Sequence, residues 1–198
     1  MPADASRDLL RPRGRPRIAD AEHLALAAVT DLLEGRQANI ITMDLVAERA
    51  GISKITLYRR WPSKLALFVD AMLQRLVTTM PLDEARPPFD AIRGHIISMV
   101  KVLQGPTGDL VRAVVGACVA APEMSGILRE RYLGHRRDLA IRIIERGLLD
   151  GSFTATGSPE VLHDTLYGSI WYRFLFEVGS LSRGQALTLF AAVLTPPQ

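Results

Sequence analysis

The sequence predicts an all-α chain in two parts, a small basic head and a larger neutral body. Apolar residues recur at spacings of three and four along most of the chain, and no stretch alternates with the period of two that a strand requires. Glycines and prolines cut this pattern into helix-length pieces. The excess positive charge lies at one end: residues 1–64 carry 11 basic and 8 acidic residues, whereas residues 65–198 carry 13 of each.

Residues 1–17 form an Arg-rich arm. Its RPRGRPR stretch sets Arg11, Arg13, Arg15 and Arg17 among Pro12, Pro16 and Gly14, and the prolines hold it extended. Helical periodicity then starts at Asp20, an expected N-cap, with Leu24, Ala27, Ala28 and Leu32 on one stripe that runs out at Gly35. Thr42 is placed to cap a second helix, Met43–Ala50, which stops at Gly51; Ser53 is placed to cap a third, Lys54–Arg60. Pro62 and Ser63 open a fourth, Lys64–Thr79, striped by Leu65, Phe68, Met72 and Leu76. Met80-Pro81 and Arg86-Pro87-Pro88 then break the pattern, dividing residues 18–80 from residues 81–198. Further helices are expected over 89–103, 108–120, 122–149, 159–179 and 183–194.

The chain has 198 residues and is 48% hydrophobic, enough to bury a core and too apolar for a disordered chain. Cys118 is the sole cysteine, so no intrachain disulfide can form. No apolar run approaches the ~20 residues that span a bilayer, and the N-terminus shows no signal-peptide apolar region. The expectation is a cytoplasmic, nucleoid-associated protein with no membrane partner.

The segment Ala47–Lys64 carries the functional signal. Between Arg49 and Lys64 lie five basic residues (Arg49, Lys54, Arg59, Arg60, Lys64) and no acidic one. Ala47 allows close helix crossing, Gly51 allows a left-handed turn, and Val46, Ile52 and Leu57 can form a small core. With Leu57 pointing inward, a wheel of ~100° per residue sets Ile55 and Arg59 on the opposite side, flanked by Lys54, Thr56 and Tyr58. That face suits the major groove of double-stranded DNA. Lys54 can reach guanine or a phosphate, while Tyr58, Arg59 and Lys64 suit phosphates. Thr42 and Lys64 each stand at a helix start, where free N–H groups favour an anion. Ile55 has two open readings, contact with a thymine methyl or burial in the small core. Trp61 reads as core between the third and fourth helices. The arm likewise has two readings. Its Gly-Arg-Pro centre, similar to an AT-hook, can lie in a minor groove through Arg13, Arg15 and Arg17, or act as a basic tail that only releases counterions.

From Arg15 to Leu73, this sequence resembles the DNA-binding domain of TetR-family transcriptional regulators. The most specific stretch is Ala47–Phe68, with its AG-hydrophobic-Ser turn, the Thr56-Leu57-Tyr58-Arg59 run and the Ser63-Lys64 pair. The resemblance implies an N-terminal three-helix helix-turn-helix DNA-binding domain. A linking helix would join it to a larger helical domain that binds an effector and pairs two copies, with the last two helices forming the dimer interface. It also implies DNA contacts at Thr42, Ser53, Lys54, Thr56, Tyr58 and Lys64. Ile55 departs from the small residue common in the family, and Arg60-Trp61 replaces a common aromatic pair; both bear on which operator is read.

Residues 89–194 show no catalytic serine, histidine and aspartate spacing, no Gly-rich phosphate loop and no Cys/His cluster. Neither an enzyme, a cofactor nor a metal is expected, and His95, His135 and His163 read as ordinary core or surface residues. Met99, Arg112, Cys118, Met124, Tyr167, Trp171 and Tyr172 are the candidates for an effector pocket, and a core role is the alternative for each. Leu166, Ile170, Phe174, Leu187 and Phe190 are the candidates for a homodimer interface, against packing on the domain's own core. The reading as a whole is a dimeric regulator, a repressor released by a small, largely apolar effector. An architectural DNA binder without an effector is the alternative.

Overall fold

The head is built on helix α1 (Ile18–Leu33), which turns Ala25, Leu26, Ala28 and Val29 inward against α2 (Met43–Ala50) and α3 (Lys54–Arg60). The computed structural model describes residues 18–35 and 38–196; the arm with Arg13, Arg15 and Arg17 lies outside the described residues. The helix starts at Ile18, so Asp20 sits in its first turn and is not its cap.

Two hydroxyls start the next helices. Thr42 accepts the Leu45 N–H at 3.2 Å, and Ser53 accepts the Thr56 N–H at 3.1 Å. Gly51 ends α2 at φ +65°, and its turn is closed by Ile52 N–H to the Ala47 carbonyl at 3.1 Å and Gly51 N–H to the Glu48 carbonyl at 3.2 Å. Only glycine adopts that conformation without penalty.

The linking helix α4 (Lys64–Thr79) is buried on two sides, by α1 of the head and by α6 of the body, and this explains its unusually wide apolar surface of Leu67, Phe68, Ala71, Met72 and Leu76. The body comprises α5 (Pro88–Leu103), α6 (Pro106–Val119), α7 (Pro122–Leu128), α8 (Gly134–Leu149), α9 (Pro159–Phe176) and α10 (Arg183–Val193). Helix α5 is its centre, packing against α6, α8 and α10. Prolines at the first helical position set the starts of α5, α6, α7 and α9, where a missing N–H costs nothing. Among the described residues the only β pairing is one bridge, Thr154 with Thr195, which ties down the chain after α10.

Two expectations need correction. The stretch 122–149 is not one uniform α-helix: a π turn, Arg129–Leu133, separates α7 from α8, closed by the Gly134 N–H to the Arg129 carbonyl. A Cβ at Gly134 would come within 3.2 Å of that carbonyl, so glycine permits the wide turn. Helix α9 stops at Phe176, three residues short of Gly179, because Glu177 turns to φ 54° and Arg112 takes the Phe174 carbonyl at 2.6 Å.

Candidate nucleic-acid interface and regulatory cavity

Helix α3 has one buried apolar residue, Leu57, which is fully enclosed by the head. Opposite it, Ile55 is 79% exposed, so the small-core reading of Ile55 is excluded. Lys54, Tyr58 and Arg59 are also exposed, and Thr56 is half-buried with its hydroxyl 2.8 Å from that of Ser53. Residues Thr42, Ser53, Lys54, Ile55, Tyr58 and Arg59 thus lie on the surface of one small domain.

The cations divide by partner. Lys54 pairs with Asp44 at 2.7 Å, Arg49 with Asp31 at 3.2 Å, and Arg60 with Glu22 at 3.0 Å. Lys64 donates to the Asn39 carbonyl at 3.0 Å and sits 5.0 Å from the Phe68 ring centre, its ammonium pushed to lower pKa by burial. Arg59 makes no hydrogen bond or ion pair among the described residues. The basic run is therefore less bare than its composition implies, with Arg59 the cation left for a phosphate.

Trp61 is core, as its type predicts, and does more than fill space. Its Nε1–H donates to Asp70 Oδ2 at 2.9 Å, and the same buried carboxylate accepts from Arg131 in the π turn at 2.7 Å, with Arg60 at 3.5 Å. One side chain on α4 thus joins the end of α3 to the body.

Two neighbouring cavities lie beyond this clasp, of about 360 Å³ and about 300 Å³. Tyr132, Leu133 and Trp171 line both. The first holds most of the polar groups, including His95, Arg136 and Tyr167; the second is lined mainly by apolar side chains of α4, α6 and α9. Burial, with Arg136 and His163 nearby, drives the His95 imidazole down to about 3, so it is neutral. A larger depression of about 640 Å³ between head and body is more open and polar.

Of the expected pocket residues, Met99, Tyr167 and Trp171 line the first cavity and Cys118 and Trp171 the second. The others do not. Arg112 lies over Phe174 at 4.5 Å and pairs with Glu177 at 3.4 Å, capping α9. Met124 packs against the core, and Tyr172 stands 55% exposed on the outer face of α9. Sequence reading missed Arg136, Tyr132 and His95, whose shared location depends on helices far apart in the chain.

Four of the five expected interface residues need a parallel correction. Leu166, Ile170, Phe174 and Phe190 are buried in the protomer's own core, and Leu187 is half-buried. The exposed stripe of α9 is instead Val161, Thr165, Gly168, Tyr172 and Phe176.

This geometry, an exposed short helix braced by a capped turn and joined through one helix to a hollow all-α body, defines a helix-turn-helix regulator. The tetR family of bacterial regulatory proteins matches residues 26–71, and the tetracyclin repressor-like C-terminal domain matches residues 90–193. The chain therefore belongs to the TetR family of DNA-binding transcriptional regulators. It is similar to the uncharacterized HTH-type transcriptional regulator YdeS of Bacillus subtilis, 30% identical over 163 residues, 82% of each chain. The TetR family regulator SCO0332 shares its fold with a TM-score of 0.72 and 24% identity, covering 87% of this chain and 95% of that one. RolR in complex with resorcinol superposes with a TM-score of 0.61 at 17% identity, covering 89% and 88%.

Proposed function

We propose that the protein is a homodimeric repressor that binds a pseudo-palindromic operator and releases it when a small, largely apolar effector enters the paired cavities. The observation that carries this reading is the outward face of α3: an apolar side chain 79% exposed at Ile55, beside Tyr58 and Arg59, the latter with no partner among the described residues. On a soluble head such an isoleucine needs a partner surface, and a thymine methyl in the major groove supplies one. Two such helices would enter successive grooves about 34 Å apart.

Dimerisation is supported by α9, which buries Leu166, Ile170 and Phe174 inside the protomer yet leaves Val161, Tyr172 and Phe176 exposed on its other side. Large apolar side chains exposed along one stripe of a helix mark an interaction surface, and a second copy would cover the outer stripe. An effector role is supported by the cavities, and by RolR, a protein of the same fold whose structure holds resorcinol. A ligand acts only through unequal affinity for the DNA-bound and free arrangements. The Asp70 clasp offers a route, because the π turn that carries Arg131 also supplies Tyr132 and Leu133 to the cavity walls.

Selection of bound duplexes from a random pool, followed by footprinting, tests the reading. A short symmetric site with two protected grooves one turn apart is the expected result. Uniform protection of any duplex would favour the architectural alternative and remove the repressor.

A further inference from the structure

We propose that the cavity ligand is an amphipathic organic anion, its carboxylate or similarly acidic head held by Arg136 and Tyr167 and its apolar body reaching past Trp171 into the second compartment. The proposal deepens the regulator reading and relies on it only for the step from binding to DNA release.

The polar end of the cavity is a relay whose hydrogens can be assigned. One Arg136 nitrogen lies 2.7 Å from His95 Nε2. A guanidinium has no acceptor, so Nε2 must offer its lone pair. The neutral ring then carries its proton on Nδ1, which donates to the Tyr167 oxygen at 2.9 Å. The Tyr167 hydroxyl is thereby an acceptor from His95, and its own proton has no acceptor among the described residues. That nitrogen of Arg136 also donates to the Met80 carbonyl at the end of α4, and the remaining three N–H groups find no acceptor among the described residues. Both groups that face a ligand therefore keep hydrogens with no acceptor among the described residues.

The charges agree. Arg136 is half-buried and pairs with no carboxylate among the described residues. The one acid lining this cavity, Asp164, is already held by Arg137 at 3.0 Å and by His163 at 2.8 Å. A half-buried cation with no carboxylate partner among the described residues favours an anion, and a planar guanidinium matches a carboxylate in particular. Beyond the shared wall, Met72, Leu76, Val111, Val115, Leu128 and Leu175 offer only apolar surface. Together the compartments provide room of the kind that small ligands fill. An anion at Arg136 would also compete with the Met80 carbonyl for the guanidinium, which places ligand binding at the last turn of the linking helix.

The test titrates the full-length protein by calorimetry with matched carboxylate, alcohol and ammonium forms of two skeletons, naphthalene and decyl. The carboxylates are expected to bind at least about tenfold tighter than the alcohols, with the ammonium forms weakest. Arg136→Met should abolish that preference while leaving alcohol affinity within about threefold, and Arg136→Lys should keep most of it. Equal affinity for carboxylate and alcohol in the parent protein overturns the proposal without recourse to any variant, as does failure of all three forms to bind. The same compounds are then added to the complex with the selected duplex. Carboxylate preference with the DNA complex intact would keep the ligand class and remove the effector role. Release by alcohol and carboxylate at equal concentrations would keep the regulator and overturn the ligand class.

Discussion

The head and the body use polar groups in opposite ways. In the head, Lys54, Tyr58 and Arg59 stand in solvent on a short helix held by one buried residue, Leu57. In the body and on the linking helix, His95, Tyr167 and Asp70 are buried, and each is tied to a defined partner. An exposed group can be lost with little effect on stability, whereas a buried one leaves an orphaned partner behind. The contrast teaches where function and folding separate. Substitutions on the exposed face of α3 should change DNA binding alone, and substitutions of the buried polar groups should change stability and response together.

The strongest challenge to this contrast is the buried anchor of the head itself. Leu57→Ala removes a fully enclosed side chain and should cost about 2–5 kcal/mol, enough to unfold much of the head. Thermal melting should show an early transition, and DNA binding should vanish with it. Full stability in this variant would mean that α3 is not braced through Leu57. Asp70→Ala comes next. It strips Trp61 and Arg131 of their shared acceptor, at about 1.5–3 kcal/mol for the charge-assisted bond. Asp70→Asn keeps an acceptor for Trp61 and should restore much of that stability, yet it weakens the hold on Arg131. If the clasp couples the two parts, the Asn variant should respond less to an effector while still binding DNA; an unchanged response would remove Asp70 from the route.

The relay at His95 gives a pH signature that only a buried group can produce. Burial holds its folded-state pKa at about 3, well below the ordinary imidazole value of 6.5, so as pH falls through 6.5 the unfolded chain takes up a proton that the folded one refuses. Stability is therefore lost progressively from pH 6.5 towards 3, with a slope approaching about 1.4 kcal/mol per pH unit from this one group. Comparing the parent with His95→Gln between pH 6.5 and 4.5 isolates it from carboxylates that titrate lower. Parallel pH profiles would show that His95 takes up its proton as readily in the folded state as in the unfolded chain.

The same division explains what the sequence could reveal. The caps at Thr42 and Ser53, the left-handed Gly51 and the face opposite Leu57 all lie within one continuous stretch, so local spacing places them correctly. The bounds of α2 and the start of α3 follow from those caps, and Ser63 starts α4 in the same way by accepting the Ala66 N–H. The cavity brings together Met80, His95, Arg136 and Tyr167 from four separate helices or their ends. No local pattern encodes that meeting. Leu166, Ile170 and Phe174 show the same gap: an i, i+4 stripe marks a buried face, but not whether the covering surface belongs to the same protomer. The π turn is equally silent, since its only local mark is a glycine at position 134.

Smaller effects belong to the surface of α3. Arg59→Ala removes a cation with no partner among the described residues and should lower the slope of log affinity against log salt by about one unit, with melting unchanged. Arg49→Ala is the matched control, since Arg49 is engaged by Asp31 and should leave the slope nearly unaltered. Equal slopes for parent and Arg59→Ala would take Arg59 out of contact with phosphates.

The finest discrimination falls to Ile55. At 79% exposure its truncation to alanine should move stability by no more than about 0.5 kcal/mol. If its methyl groups meet a thymine methyl, the variant should lose preference at one A·T position by about 1 kcal/mol, roughly fivefold, and at no other. Repeating the duplex selection with Ile55→Ala measures this directly. An unchanged profile at every position would show that Ile55 faces the groove without reading it, and specificity would then rest with Lys54 and Thr56.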